Sequence, residues 1–210
     1  MDAVLSDKAQ DKRAPAAPGA AVRPSRAEAE EAVRTLIAWA GDTPQREGVL
    51  DTPSRVVRAY EEFFRGYAQN PDEELGSVFE DTKGYQDIVL LRNIRLESHC
   101  EHHMLPVIGQ AHVAYVPTDR IVGISKLARV VEIYAKRLQT QEILTQQVAA
   151  CIQRVLSPSG VAVMLDAKHQ CMTMRGVKKP DVSTVTTQFL GVFADEPEWR
   201  ERFFRLVQAP

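Results

Sequence analysis

The sequence predicts an α+β fold: a four-stranded antiparallel sheet with two helices on one face, preceded by a helical amino-terminal region. Three observations carry this reading. Helical apolar spacing dominates residues 25–66, β-rich segments begin near residue 88, and from there the core elements run strand, strand, helix, helix, strand, strand. Adjacent strands joined by short turns pair antiparallel, and the two helices between the strand pairs then cover a single face. A sheet of this kind keeps two open edges, and open edges favour assembly with further copies of the chain.

Residues 1–24 are rich in Ala, Pro, Asp and Arg and lack apolar periodicity, which predicts a disordered tail. Asp2, Asp7 and Asp11 interrupt the basic character that a transit peptide would show. The helical region spans 25–87. Ser25-Arg26-Ala27-Glu28 is a capping box; Val33, Leu36, Ile37 and Ala40 follow at helical spacing, and Gly41 ends the helix. Thr52-Pro53 opens a second helix with a predicted buried stripe of Val56, Val57, Tyr60, Phe63 and Phe64, stopped by Gly66. Residues 67–87 read as an irregular connection.

The main domain is expected over 88–210. Ile94 and Leu96 alternate with Arg95 and Glu97 in a first strand, and 107–116 forms its partner, closed by Pro117. Leu127, Val130, Val131 and Tyr134 mark one helix; Ile143, Leu144, Val148, Ile152 and Val155 mark the next, broken by Ser157-Pro158-Ser159-Gly160. A short strand over 161–166 and a longer β-rich segment over 182–192 complete the sheet. Asp195 is then expected to cap a terminal helix carrying Trp199, Phe203 and Leu206.

Composition narrows the function. Lys and Arg number 26 against 28 Asp and Glu, a net charge of -2, so there is no basic excess of the kind nucleic-acid binding needs, and any anion site must be built locally. No apolar run approaches the roughly 20 residues that span a bilayer, and the amino terminus lacks the apolar core of a secretory signal. These features and the 3 cysteines, two of them in a metal-like constellation, suit a reducing cytoplasm. Cys151, among helix-spaced apolar residues, reads as a small buried side chain.

That constellation is Ser98-His99-Cys100-Glu101-His102-His103, answered downstream by His169-Gln170-Cys171. Cys100 and His103 sit three apart, a spacing at which one turn can grip a single ion, and Cys171 can supply a third ligand. Three protein ligands on a tetrahedral ion leave one position for water, the mark of catalytic zinc; a structural site would recruit a fourth from His99, His112, His169 or Asp166. His102 and His169 remain to shuttle protons or to orient ligands.

A second set suits anions. Ser125-Lys126-Leu127-Ala128-Arg129 opens a helix with a hydroxyl at its cap and two cations, a plausible phosphate seat. Arg175 falls four residues past Cys171, and Arg55 lies in the first turn of the second helix. Gln141-Glu142 begins the next core helix, where a carboxylate can accept from the N–H groups of a base.

In combination these pieces resemble GTP cyclohydrolase I. The resemblance rests on Ser98–His103, on Gly123-Ile124-Ser125-Lys126-Leu127-Ala128-Arg129, on Gln139-Thr140-Gln141-Glu142, on His169 to Val177, and on Leu190-Gly191-Val192-Phe193. It covers roughly residues 45 to 207. It implies the tunnelling fold, whose subunits join sheets into pentameric barrels that stack as a homodecamer with interface active sites. It also implies conversion of GTP and water to 7,8-dihydroneopterin triphosphate and formate, a first step of pterin and tetrahydrofolate biosynthesis. The family's zinc ligands match Cys100, His103 and Cys171, with metal-bound water attacking guanine C8. Its proton-transfer histidines match His102 and His169, its guanine anchors Gln141 and Glu142, and its triphosphate groups Ser125, Lys126, Arg129, Arg175 and Arg55. Ser125 is also implicated in the later ribose rearrangement. Neither nucleic acid nor membrane is expected as a partner.

Overall fold

The computed structural model describes residues 23–76, 78–79 and 84–209. The tail predicted to be disordered lies outside them, apart from Arg23 and Pro24. The chain divides into two compact units between Arg58 and Ala59, so the expected boundary at 87/88 falls inside the second.

In the first unit, helix α1 (Arg26–Trp39) begins with the capping box: Glu28 N donates to Ser25 Oγ at 3.3 Å while Ser25 N donates to Glu28 Oε2 at 2.8 Å. It ends at Gly41, whose φ of 97° lets Asp42 N reach back to Ile37 O at 3.2 Å. No residue of α1 is buried, and Trp39 is 85% exposed. A 3₁₀ turn at Glu47–Val49 leads into α2 (Thr52–Phe63), which crosses the unit boundary. Its predicted stripe is only half-buried, and Tyr60 is exposed.

The second unit departs from the sequence reading first at 67–87. A 3₁₀ turn (Arg65–Ala68), helix α3 (Pro71–Leu75) and strand β1 (Val78–Phe79) occupy much of the segment expected to be irregular. Asn70 caps α3 by accepting from Asp72 N at 3.1 Å, and Pro71 takes the first helical position.

The main sheet follows. Strands β2 (Val89–Cys100) and β3 (Pro106–Val116) form a hairpin. Strand β4 (Ile121–Val122) pairs with β1, then helix α4 (Ile124–Ala135) leads to the two-residue strand β5 (Leu138–Gln139) and helix α5 (Gln141–Leu156). Strand β6 (Gly160–His169), the short helix α6 (Gln170–Thr173), strand β7 (Thr184–Gly191) and helices α7 (Val192–Asp195) and α8 (Pro197–Gln208) complete the chain. The order is β5-β2-β3-β6-β7, antiparallel except for β5, which adds a short parallel edge beside His99 and Cys100.

Leu127, Val130 and Val131 of α4 and Leu144, Val148 and Ile152 of α5 share one core with Leu96, Ala111, Val113, Tyr115, Val163 and Leu165. Both helices therefore cover one face, as alternation along the strands requires. Full burial of each large aliphatic side chain contributes about 1.5–3 kcal/mol. Among the described residues the other face is covered toward the Val116 end, where Ala114, Val116 and Ala162 pack with Phe193 and Phe203. Toward Pro106 it is open, and Ile108 is 48% exposed.

Two further expectations are corrected. The strand expected at 161–166 runs on to His169 because β3 pairs with it over its whole length. Asp195 does not cap the last helix. It ends α7, and α8 opens at Glu196-Pro197 without a side-chain cap, the fixed φ of proline setting the first turn. Among the described residues no helix is long and apolar enough to cross a membrane.

Candidate metal centre

The open end of the sheet assembles the metal motif from two hairpin-like junctions. β2 stops at Cys100, whose N–H bonds Leu105 O at 2.9 Å, and Met104 N returns to Cys100 O at 2.8 Å. Met104 takes a left-handed φ of 54°, closing the turn that holds His103. On the next strand pair, His169 lies opposite Val107, so α6 starts beside this turn and delivers Cys171. Sheet register thus joins two segments about seventy residues apart in sequence.

Cys100 Sγ and His103 Nδ1 are 3.8 Å apart. The ligand atoms of Cys100, His103 and Cys171 all lie within 4.8 Å of one another. A tetrahedral ion with arms of about 2.0–2.3 Å needs ligand separations of roughly 3.3–3.8 Å, so this set fits a four-coordinate thiophilic ion with slight tightening. Burial and the neighbouring Cys100 push the Cys171 thiol up, and the Arg175 guanidinium opposes them weakly. A cation held by Cys100 and Cys171 would reverse that balance, since coordinated thiols give up their protons.

Among the described residues, no other histidine, cysteine or carboxylate joins the three within that span. His99 is buried between the rings of Phe63 and Phe64, at centroid distances of 4.7 and 5.2 Å, and its Nδ1 has no hydrogen-bond partner among the described residues. Burial lowers its pKa first, with Lys136 acting in the same direction. His112 is buried in β3, accepting from Asn93 N at 3.4 Å where β2 bulges. His169 Nε2 is 2.8 Å from Gln141 Oε1.

The histidines expected to move protons stand in contrasting places. His102 has a side chain 65% exposed, with Nδ1 3.7 Å from Cys100 Sγ. His169 is half-buried; burial lowers its pKa, and the charge of Glu142 partly offsets this. Glu142 is exposed and, with Thr145, Gln146, Thr186 and Gln188, lines an open groove of about 430 Å³. Its neighbour Gln141, expected to read a base edge, is turned inward instead. It is 3% exposed, and its amide nitrogen bonds Leu165 O, Thr184 O and Thr186 Oγ1.

Of the anion set, Lys126 and Arg129 sit on α4 and Arg175 near Cys171. Ser125 is exposed in the first turn of α4 and does not cap it; Gly123 holds the cap position without a side-chain bond. Lys126 Nζ and Arg129 Nη1 both donate to Glu74 Oε1, at 2.9 and 3.0 Å. The other end of α4 leads through Lys136 to β5, whose Gln139 pairs with Cys100. The ten residues from Lys126 to Lys136 span about 15 Å along the helix axis. Arg175 is exposed, its charge reaching Cys171. Arg55 belongs to the first unit, where it pairs with Asp51 at 3.3 Å.

Sequence reasoning missed Glu74 and the inward role of Gln141. An acidic run after Asn70-Pro71 was the only local signal for the first, and nothing local marks the second. Cys151 is fully buried as expected, and its thiol also donates to Asp72 Oδ1 at 3.3 Å. Burial pushes its pKa up to about 12, with Asp72 adding to the effect.

A family model described as GTP cyclohydrolase I matches residues 29–208. A protein named GTP cyclohydrolase 1 from Maricaulis maris is 57% identical over 208 residues, covering 99% of each chain. One of the same name from Hyphomonas neptunium is 56% identical over 206 residues, with 98% of each chain covered. Another from Brucella abortus is 55% identical over 186 residues, covering 89% of this chain and 87% of its own.

Proposed function

Because the chain belongs to the GTP cyclohydrolase I family, we propose that it is a zinc-dependent hydrolase converting GTP and water to 7,8-dihydroneopterin triphosphate and formate. The observation that carries this reading is the cluster of Cys100, His103 and Cys171, with no fourth protein ligand among the described residues. Two thiolates and an imidazole suit Zn2+ better than the oxygen-seeking cations. When bound there, zinc supplies Lewis acidity that activates water at neutral pH.

The surrounding side chains divide the remaining work. His102, exposed beside Cys100, and His169, half-buried near Glu142, exchange protons as the guanine imidazole ring opens and formate leaves. Glu142 accepts from the ring and exocyclic N–H groups of guanine at the mouth of its groove. Lys126, Arg129, Arg175 and Arg55 neutralise the triphosphate, and Ser125 assists the later ribose rearrangement. Lys126 and Arg129 lie at the far end of α4 from the metal ligands, which supports a site completed by a second copy. The open edge of β7 and exposed Ile108, Met174, Val177 and Val185 support the same reading, a decamer of two pentamers. The enzyme would serve pterin and tetrahydrofolate biosynthesis in the cytoplasm.

Incubating zinc-loaded protein with GTP tests the proposal. Formate and a pterin that fluoresces after oxidation are expected in equal amounts. GTP left intact by protein carrying one zinc per chain rules it out.

A further inference from the structure

Gln141 opens α5 in the surroundings of a core residue, 3% exposed. Its amide nitrogen lies 3.2 Å from Leu165 O and 2.7 Å from Thr184 O. Both are carbonyl oxygens that only accept, so the atom facing them is the NH2 group and the amide cannot be turned around. A third contact, 3.2 Å to Thr186 Oγ1, leads into a closed ring. Thr186 meets Thr145 Oγ1 at 2.7 Å, and Thr145 donates to the main-chain oxygen of Gln141 at 2.6 Å. Thr145 spends its one hydrogen on Gln141 O, so Thr186 donates to Thr145 and can only accept from the amide. The two amide hydrogens are shared among Leu165 O, Thr184 O and Thr186 Oγ1. Such a closed network resists rotation of the amide.

With its nitrogen committed, Gln141 has only Oε1 to offer, and Oε1 lies 2.8 Å from His169 Nε2. An amide oxygen accepts and cannot donate. His169 Nε2 therefore carries the hydrogen, and the neutral ring keeps its lone pair on Nδ1. We propose that Gln141 is a positioning residue that holds His169 in the Nε2–H tautomer, leaving Nδ1 as the ring's proton acceptor for turnover of GTP. The inference rests on the proposed function for the role of His169 and departs from the family resemblance over Gln141. A buried amide with every polar atom spent acts on the substrate through the histidine, whereas Glu142, exposed at the groove, is left to read the base.

The two roles separate in Gln141→Met, which keeps length and removes both polar atoms. Loss of a residue that orients a reacting group should lower kcat by about 10- to 100-fold, while KM and directly measured GTP affinity stay within about threefold. In a His169→Ala background the same substitution should change turnover by less than about twofold, because the group it positions is gone. A tenfold weaker GTP affinity with kcat preserved, an unchanged kcat, or a full loss persisting without His169 would each overturn the proposal. A neutron structure of the wild-type, zinc-loaded enzyme reads the tautomer without any variant at Gln141. Deuterium on Nε2 and none on Nδ1 is expected; the reverse overturns the assignment even if Gln141→Met fails to assemble. Wild-type protein that ignores GTP would instead remove the proposed function and leave the tautomer result standing.

Discussion

The two ends of α4 are held by different physics. At its carboxyl end, backbone pairing and buried hydrogen bonds fix the metal-ligand cluster: β5 runs beside Cys100, the Cys100–Leu105 bond closes the turn, and β3 carries β6 to His169. At its amino end, Lys126 and Arg129 lean on one carboxylate, Glu74, and the Arg129 side chain is 58% exposed. The first arrangement is pre-built by the fold. The second is a partly exposed ion-pair cluster, screened by salt and open to rearrangement when a stronger anion arrives. The proposed function assigns the chemistry that needs sub-ångström placement to the rigid end and charge neutralisation to the adaptable one.

Cys171→Ala should break the rigid end most severely. Metal content is expected to vanish and turnover to fall below detection, beyond the about 10²–10⁴-fold cost of losing a proton-transfer group. Retained zinc and an unchanged rate would show that this end is not the reacting centre. Next in size comes His102→Ala, which should keep its zinc and lose turnover by about 10²–10⁴-fold. Zinc lost along with activity would instead make His102 part of the metal site.

At the adaptable end the signature should differ in kind. Lys126→Ala is expected to raise KM for GTP by about 10- to 100-fold, the worth of one charge-assisted hydrogen bond, with kcat changed only a few-fold. Its effect should shrink as salt is raised. A pure kcat defect would erase the distinction between the ends.

The smallest effect should come from α3, which carries Asp72 as well as Glu74. The hydrogen bond from Arg154 holds the Asp72 carboxyl below its usual range of 3.8, with Cys151 contributing. A carboxylate depressed in the folded state stabilises at pH above the unfolded value and loses that contribution as pH falls through the folded one. The Tm of wild type should therefore drop more than that of Asp72→Asn between about pH 5 and pH 2, with a neutral-pH difference under about 1 kcal/mol. Parallel curves would mean that this pair does not anchor α3.

The comparison also marks where sequence stops being informative. The four long strands, both core helices and the Cys100–His103 pair were legible because each leaves a local trace: alternation, 3.6-residue spacing, or Cys and His three apart. The two-residue strands β1, β4 and β5 are too short to leave one. The capping box at Ser25 and the glycine ending at Gly41 appear as read. Helix α3 was legible in principle from Asn70-Pro71, but its five residues are too short for periodicity to register. Gln141 and Glu74 were of another kind. Gln141 is defined by carbonyls of β6 and β7, over twenty and over forty residues away, and Glu74 by cations more than fifty residues on. Such partners are set by tertiary packing alone. Gly66 shows the same limit: it was expected only to stop α2, yet any side chain there would strike Ile133 O, so it is the close approach of the turn to α4 that requires glycine.

Between catalytic and structural readings of the cysteine and histidine motif, spacing left a choice, and the packing of His99, His112 and His169 away from the cluster narrows it. X-ray absorption at the zinc edge, on protein reconstituted to one zinc per chain, tests that point most directly. Two sulfurs, one imidazole and a fourth position filled by solvent are expected. A second imidazole, or any fourth protein ligand, would close the metal and contradict the catalytic assignment.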